Sequence, residues 1–329
     1  MARHPWVAAA DQGVRFGVQL ITSHEPDAIP KLLETGKRVE ALGYDALFIF
    51  DHPMIHVDPW ICLPALATVT SQVRLGTVVN CVWYRHPAHL ARLAADLDNL
   101  SGGRLMFGLG SGWHQGEFAS LNVPFLSAPE RQAGLDEAVR IIAGAWGDEP
   151  FTYVGTHFRT DAVQILPPPR QQPPPIMIGG SGERVTLRQV AEHADACNVN
   201  EELPYDAGVP VTDRAAVVKR KYDALRQHCA NLGRAEDEVM RTHFTVNLQL
   251  APTADAAAKK IDAYETSKST SPGTRRVGKS GVLWGSPSQL VEYYGAMVDA
   301  GTQYFVVQLE GADLETIELL ATEVMPNVR

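Results

Sequence analysis

Apolar runs of strand character alternate with helix-period segments along the whole chain, the order expected of parallel β/α architecture. The strand-like runs are Arg15–Leu20, Ala46–Phe50, Val73–Val79, Leu105–Leu109, Pro175–Ile178, Ala196–Asn200, Thr242–Leu250 and Gln303–Leu309. Between them, apolar residues recur at helical spacing over Asp27–Ala41, Ile61–Thr70, Ala88–Asp98, Glu130–Ala145, Glu183–His193, Arg214–Asn231, Ala254–Tyr264 and Ser288–Ala300. Eight strand and helix pairs in 329 residues suit an α/β fold of the (β/α)8 TIM-barrel type, one domain over residues 1–329. The competing arrangement, a doubly wound open sheet, usually has fewer strands before a second domain begins.

Two connections exceed ordinary loop length and read as insertions into the barrel. Residues 147–174 contain FTYVGTHFRTDAVQ, a candidate hairpin around Gly155, and end in PPPRQQPPP, a stiff polyproline entry into the fifth strand. Residues 267–281, SKSTSPGTRRVGKSG, have the Ser, Gly, Pro and Lys content of a mobile loop. Its Lys268, Arg275, Arg276 and Lys279 have no acidic neighbour, so the segment is either a lid for an anionic ligand or a surface loop with solvated charge.

Composition narrows the partners. Lys and Arg number 29 against 38 Asp and Glu, a net charge of −9, which argues against nucleic acid and anionic membranes. Cys62, Cys81, Cys197 and Cys229 are scattered without a CxxC pair, as thiols in a reducing compartment would be. No apolar stretch approaches the roughly 18 residues that span a bilayer. The opening MARHPWVAAADQG lacks the apolar core of a signal peptide, so a cytoplasmic protein is expected.

Barrel enzymes carry their chemistry at the C-terminal ends of the strands. Those positions hold Asp51 and His52 after strand two, Asn80, Cys81, Trp83 and Tyr84 after strand three, Ser111, Trp113 and His114 after strand four, and Asn200 after strand six. His52 suits proton transfer near neutral pH, or a satisfied structural role. Asp51 points away from its neighbour and either bonds a ligand or fixes a loop. Trp83 and Tyr84 offer a flat apolar wall for a ring or pack the rim, and Trp113 has the same two readings. Glu117 reads as a structural partner. Arg85, His86 and Pro87 read as a helix start. His56, His86, His89 and His114 add imidazoles, but HxH and HExxH spacings are absent, so no metal site is expected.

The stretch Ile176–Asn200 reads as strand, glycine turn, helix and strand. Gly179, Gly180, Ser181 and Gly182 let backbone N–H groups approach a phosphate, and the next helix aims its positive end there. A plain strand-to-helix turn would also favour glycine.

Taken together, FGVQL, GYDALFIFDH, VRLGTVVNCVWYRHP, LDNLSGGRLMFGLGSGWHQGEF, IGGSGERVTLRQVAEHADACN and GSPSQLVEYYGAMVDAGTQYFVVQL resemble the bacterial luciferase-like superfamily of flavin and deazaflavin oxidoreductases. The form SGGRLMFGLGSGWHQGEF is most similar to the branch that uses coenzyme F420. The resemblance implies a luciferase-like TIM barrel with the ring at its mouth and the phosphate on Gly179, Gly180, Ser181 and Gly182. It implies Val78, Val79, Asn80 and Cys81 behind the ring, with a non-proline cis bond between Val78 and Val79. Asp51 falls near the ring's polar edge, and His52, with Trp113 and His114, in the catalytic set. Trp83, Tyr84 and Asn200 then face the substrate. One departure follows: deazaflavin sugar-phosphate dehydrogenases carry a glutamate acid where this chain has Trp113.

The function expected is therefore an F420-dependent oxidoreductase that moves a hydride to or from a small organic molecule. Two alternatives remain: an FMN-dependent monooxygenase fed by a separate reductase, and a non-catalytic flavin-binding protein. The resemblance also implies a homodimer.

Overall fold

The strands of the barrel are apolar on both faces, because helices cover one side and a packed interior fills the other. The computed structural model describes residues 3–22, 24–205, 208–269 and 281–329, the side chains of 265–269 excepted. The barrel strands are β1 (Arg15–Ile21), β2 (Ala46–Ile49), β3 (Arg74–Cys81), β4 (Leu105–Gly110), β5 (Ile176–Gly179), β6 (Ala196–Val199), β7 (Met240–Thr245) and β8 (Tyr304–Glu310). Each pairs in parallel with its neighbours in chain order, and β1 pairs with both β2 and β8 to close the ring. Closure excludes the open doubly wound sheet.

Phe48, Met106, Met177, Met240, Tyr304 and Val306 fill the interior, and Trp6 and Val7 of a short helix, Pro5–Ala8, join them at the N-terminal end. Large rings fit because small residues face them. A Cβ on Gly17 would stand 2.6 Å from the Tyr304 hydroxyl and 2.8 Å from Phe48. Outside, Leu32, Val39, Leu63, Leu66, Leu90, Ala94, Leu135, Ile142 and Val190 pack the helices onto the strands.

Several helices start on a polar cap followed by proline, whose missing N–H and fixed φ suit the first turn. Asp58 accepts from Trp60 N–H ahead of Pro59–Val69, and His86 accepts from Ala88 N–H ahead of Pro87–Ser101. Ser127 and Glu130 form a reciprocal capping box on Ala128–Ala145. The glycine-turn helix is Thr186–His193, and the one after it Val211–Asn231. Among the described residues, no helix is long and apolar enough to cross a membrane.

The hairpin expected around Gly155 is present, Phe151–Val154 pairing with Arg159–Val163. Buried Glu137 pins it by accepting from Thr156, His157 and Phe158 N–H. The approach to β5 is bent, not a continuous polyproline helix: Leu166–Pro167 and Gln172–Pro173 are cis. Asp98 holds that segment through the Gln171 N–H and amide. The expected strand Thr242–Leu250 divides. It breaks at Asn247, whose φ of 49° leaves extended geometry, and Leu248–Leu250 pairs instead with Leu283–Gly285. The side chains of the anticipated lid, Lys268, Arg275, Arg276 and Lys279, lie outside the described residues.

Candidate active site

A β-bulge shapes the mouth. Thr77 opposes Phe107 and Asn80 opposes Leu109, so Val78 and Val79 together face the single residue Gly108. The Val78–Val79 peptide is cis, as the resemblance implies. Gly108 O receives the Thr77 hydroxyl (3.0 Å) and the Asn80 amide (3.1 Å). Asn80 also accepts from the Trp60 indole at 3.1 Å. Its side chain is thus committed to the bulge, and only its backbone is left to back a ring. Inside the barrel, Gln308 donates to Gln19 (2.8 Å), which donates to Val78 O.

The bulge drives the Val79 side chain over β4 and β5. Three strand positions clear the way, since a Cβ would meet a Val79 methyl at 3.3 Å on Gly108, 2.5 Å on Gly110 and 2.8 Å on Gly179. Cys81 lies in β3 beneath Gly112, whose φ is +73° and whose Cβ would strike Cys81 Sγ at 2.6 Å. Burial pushes the Cys81 thiol up to about 12, so it is no thiolate at neutral pH.

Asp51 realises the loop-fixing reading. Its side chain is fully covered; Arg85 Nη1 donates to both oxygens at 2.8 Å and Cys81 N–H to one at 3.2 Å. Burial pushes the Asp51 carboxyl up against the opposing pull of Arg85. Arg85 also pairs with Asp58, the cap of the preceding helix, Pro59–Val69. The helix start expected there therefore belongs to His86 and Pro87, while Arg85 ties the β2 and β3 ends together.

His52 meets a carboxylate. Its Nδ1 lies 2.5 Å from Glu117 Oε2. Glu117, 1 % exposed, also accepts from Met54 N–H at 3.3 Å and the Tyr84 hydroxyl at 3.4 Å. It sits on a short helix, Gln115–Ser120, absent from the expected elements, which His114 caps by accepting Glu117 N–H at 3.2 Å. The His114 and Trp113 rings stand edge-on to His52, with centroids 6.1 and 5.7 Å away. Trp113 is 60 % exposed, an indole presented at the mouth rather than packed beneath it. Trp83 differs. Its ring packs against His157 and Phe158 of the hairpin, and against Gly134, where a Cβ would stand 2.2 Å away.

After β5, Gly180 turns with φ +135° and donates to Asn198 O at 3.0 Å. Ser181 Oγ contacts Asn200 through Oδ1 (3.3 Å) and its N–H (3.3 Å), joining the β5 and β6 loops. Buried Lys221 donates to Asn200 O at 2.6 Å. The helix Thr186–His193 begins behind Val185, with no side-chain cap on its N–H groups. Such an end, beside a glycine turn, suits an anion.

Behind this wall lies a buried network the sequence reading did not find. Glu201 accepts from Tyr293 at 2.9 Å, meets His243 Nε2 at 2.9 Å and pairs with Arg214 at 3.3 Å. Burial alone would raise its carboxyl, but His243 holds it at about 2. Among the described residues, Asp136, Glu192 and His193 are close enough to share a cation, but Asp136 is already committed to Arg140 and His193.

A closed barrel with a cleared valine wall, a glycine turn and a carboxylate-held histidine at one mouth is the frame of a cofactor-using enzyme. The chain belongs to the luciferase-like monooxygenase family, whose model matches residues 13–304. It is 29% identical to an F420-dependent glucose-6-phosphate dehydrogenase of Microbacterium testaceum, over 96% of this chain and 98% of that protein. It is 33% identical to an F420-dependent hydroxymycolic acid dehydrogenase of Mycobacterium tuberculosis, over 50% of this chain and 48% of that one. A solved F420-dependent secondary alcohol dehydrogenase shares the fold with a TM-score of 0.78 at 18% identity, covering 96% of this chain and 99% of that chain.

Proposed function

We propose that the protein is a coenzyme F420-dependent oxidoreductase that moves a hydride between the deazaflavin and an organic substrate. The observation that carries this is the placement of His52, the cleared Val79 wall and the uncapped glycine turn at one end of the barrel. Relatives named for F420 dependence, one matched over nearly its whole length, support the choice of cofactor.

The residues present fit the group. Gly179, Gly180, Ser181 and Gly182, with the start of Thr186–His193, would hold its phosphate; the backbone of Val78 to Cys81 would back its ring. When bound, F420 supplies the ring carbon that accepts or returns a hydride. His52 takes or gives the proton that accompanies it, help worth about 10² to 10⁴ in rate. Tyr84, Trp113 and Asn200 flank the substrate. Trp113 places an exposed indole where the sugar-phosphate enzymes carry a glutamate acid, so the substrate proposed is an organic molecule other than a sugar phosphate. The form proposed is a cytoplasmic homodimer, which sedimentation would read.

The test is a fluorescence titration of the apoprotein with F420 and with oxidised and reduced FMN. Tight binding of F420 alone is expected. Preference for reduced FMN would make the protein a monooxygenase that needs a separate reductase, and binding of neither would sink the glycine-turn assignment. His52→Ala should keep binding and lose turnover; no turnover in any form would leave a carrier.

A further inference from the structure

We infer that Glu117 is a positioning residue that holds His52 as the Nδ1–H tautomer, so that Nε2 is the atom exchanging a proton with an alcohol or carbonyl substrate. The inference rests on the proposed function for its chemistry, but its geometry stands apart from any cofactor. An ionised carboxylate only accepts hydrogen bonds, so at 2.5 Å from Glu117 Oε2 the His52 Nδ1 carries the hydrogen. The carboxylate cannot turn away. Met54 N–H holds Oε1, the Tyr84 hydroxyl shares Oε2, and the Glu117 main chain is fixed by the His114 cap. Its place in the first turn of Gln115–Ser120 sets the negative charge against the positive end of the helix.

His52 itself is about one-fifth exposed, while Glu117 is covered, so the imidazole lies between a buried charge and the open mouth. Among the described residues no protein group hydrogen-bonds Nε2. The edges of Phe50, Trp113 and His114 surround the ring and restrict its rotation. In the oxidising direction bound F420 would supply the acceptor for the carbinol hydride. The O–H proton passes to Nε2, and the C=O bond forms. Glu117 then faces an imidazolium whose charge it balances. Reduction runs the same transfers backwards.

Two measurements test the inference. Nitrogen-15 NMR of histidine-labelled protein, with His52 assigned by comparison with His52→Gln, reads the tautomer without cofactor. The expected spectrum has a protonated Nδ1 and, where the ring is neutral, a bare Nε2; a neutral ring protonated only at Nε2 would overturn the assignment. In steady state, Glu117→Gln is expected to lower kcat about 10²-fold or more, with KM and F420 affinity close to wild type and partial recovery in Glu117→Asp. Wild-type kcat in Glu117→Gln would also overturn it. Failure of wild-type protein to bind F420 removes the proposed function instead, and the NMR spectrum still decides the role of Glu117.

Discussion

Replacing Gly110 by alanine adds one methyl whose ideal position is 2.5 Å from Val79 Cγ2, with Val79 Cβ next at 3.6 Å and Asn80 O at 3.9 Å. Carbon atoms rest about 3.5–4.0 Å apart, so the overlap of 1 Å or more falls on a single methyl group. Val79 has no cheap escape. A β-branched side chain is stiff at χ1, and its other methyl already nests over Gly108 and Gly179. Overpacking of this kind costs about 1–3 kcal/mol. Val79→Ala alone, at a half-buried position, should cost about 1 kcal/mol. In Val79→Ala/Gly110→Ala the new methyl meets the Cβ of position 79 at 3.6 Å and Asn80 O at 3.9 Å, both ordinary contacts. The double variant should therefore be more stable than the sum of the singles by about 1–2 kcal/mol. Urea unfolding of the four proteins at constant m-value measures this coupling, and F420 titration should show affinity lost in Gly110→Ala and regained in the double variant. Additivity within about 0.5 kcal/mol would refute the steric account.

Arg85→Ala leaves the covered Asp51 carboxyl without its cation, and should destabilise the fold by about 3–5 kcal/mol. Asp51→Asn in the same protein should recover part of that loss, and equal urea midpoints for wild type and Arg85→Ala would refute it. Glu201, held at about 2 against an ordinary value of 4.5, contributes stability that is fully present above about pH 4.5 and is lost as pH falls toward 2. The full contribution is on the order of 3 kcal/mol; Glu201→Gln should therefore narrow its deficit in urea stability between pH 7 and pH 3, and an unchanged deficit would count against the pairing with His243.

Local pattern carried a large part of this protein. A strand must bury both faces and a helix one, so the alternation of runs sets the (β/α)8 order, and the residues following each strand are then bound to share one end of the barrel. The Gly155 hairpin, the Pro87 helix start and the glycine turn were readable because each depends on backbone preferences of a few neighbouring residues. Other features depend on partners that no local period encodes. His52 and Glu117 are 65 positions apart, and only closure of the barrel shows that the glutamate faces the imidazole. Arg85 had the composition of a helix start until Asp51 and Asp58, brought up from another loop, took its guanidinium. Asn80 sits where a cofactor ligand was expected, yet the bulge left Gly108 O in need of donors and turned its amide that way. Strand seven kept an unbroken apolar alternation, and the break at Asn247 goes with the pairing of Leu248–Leu250 to Leu283–Gly285, a segment too short to announce itself. Side-chain type limits what a residue can bond to, but when several partners qualify, the choice is made by the folded chain that brings one of them within reach.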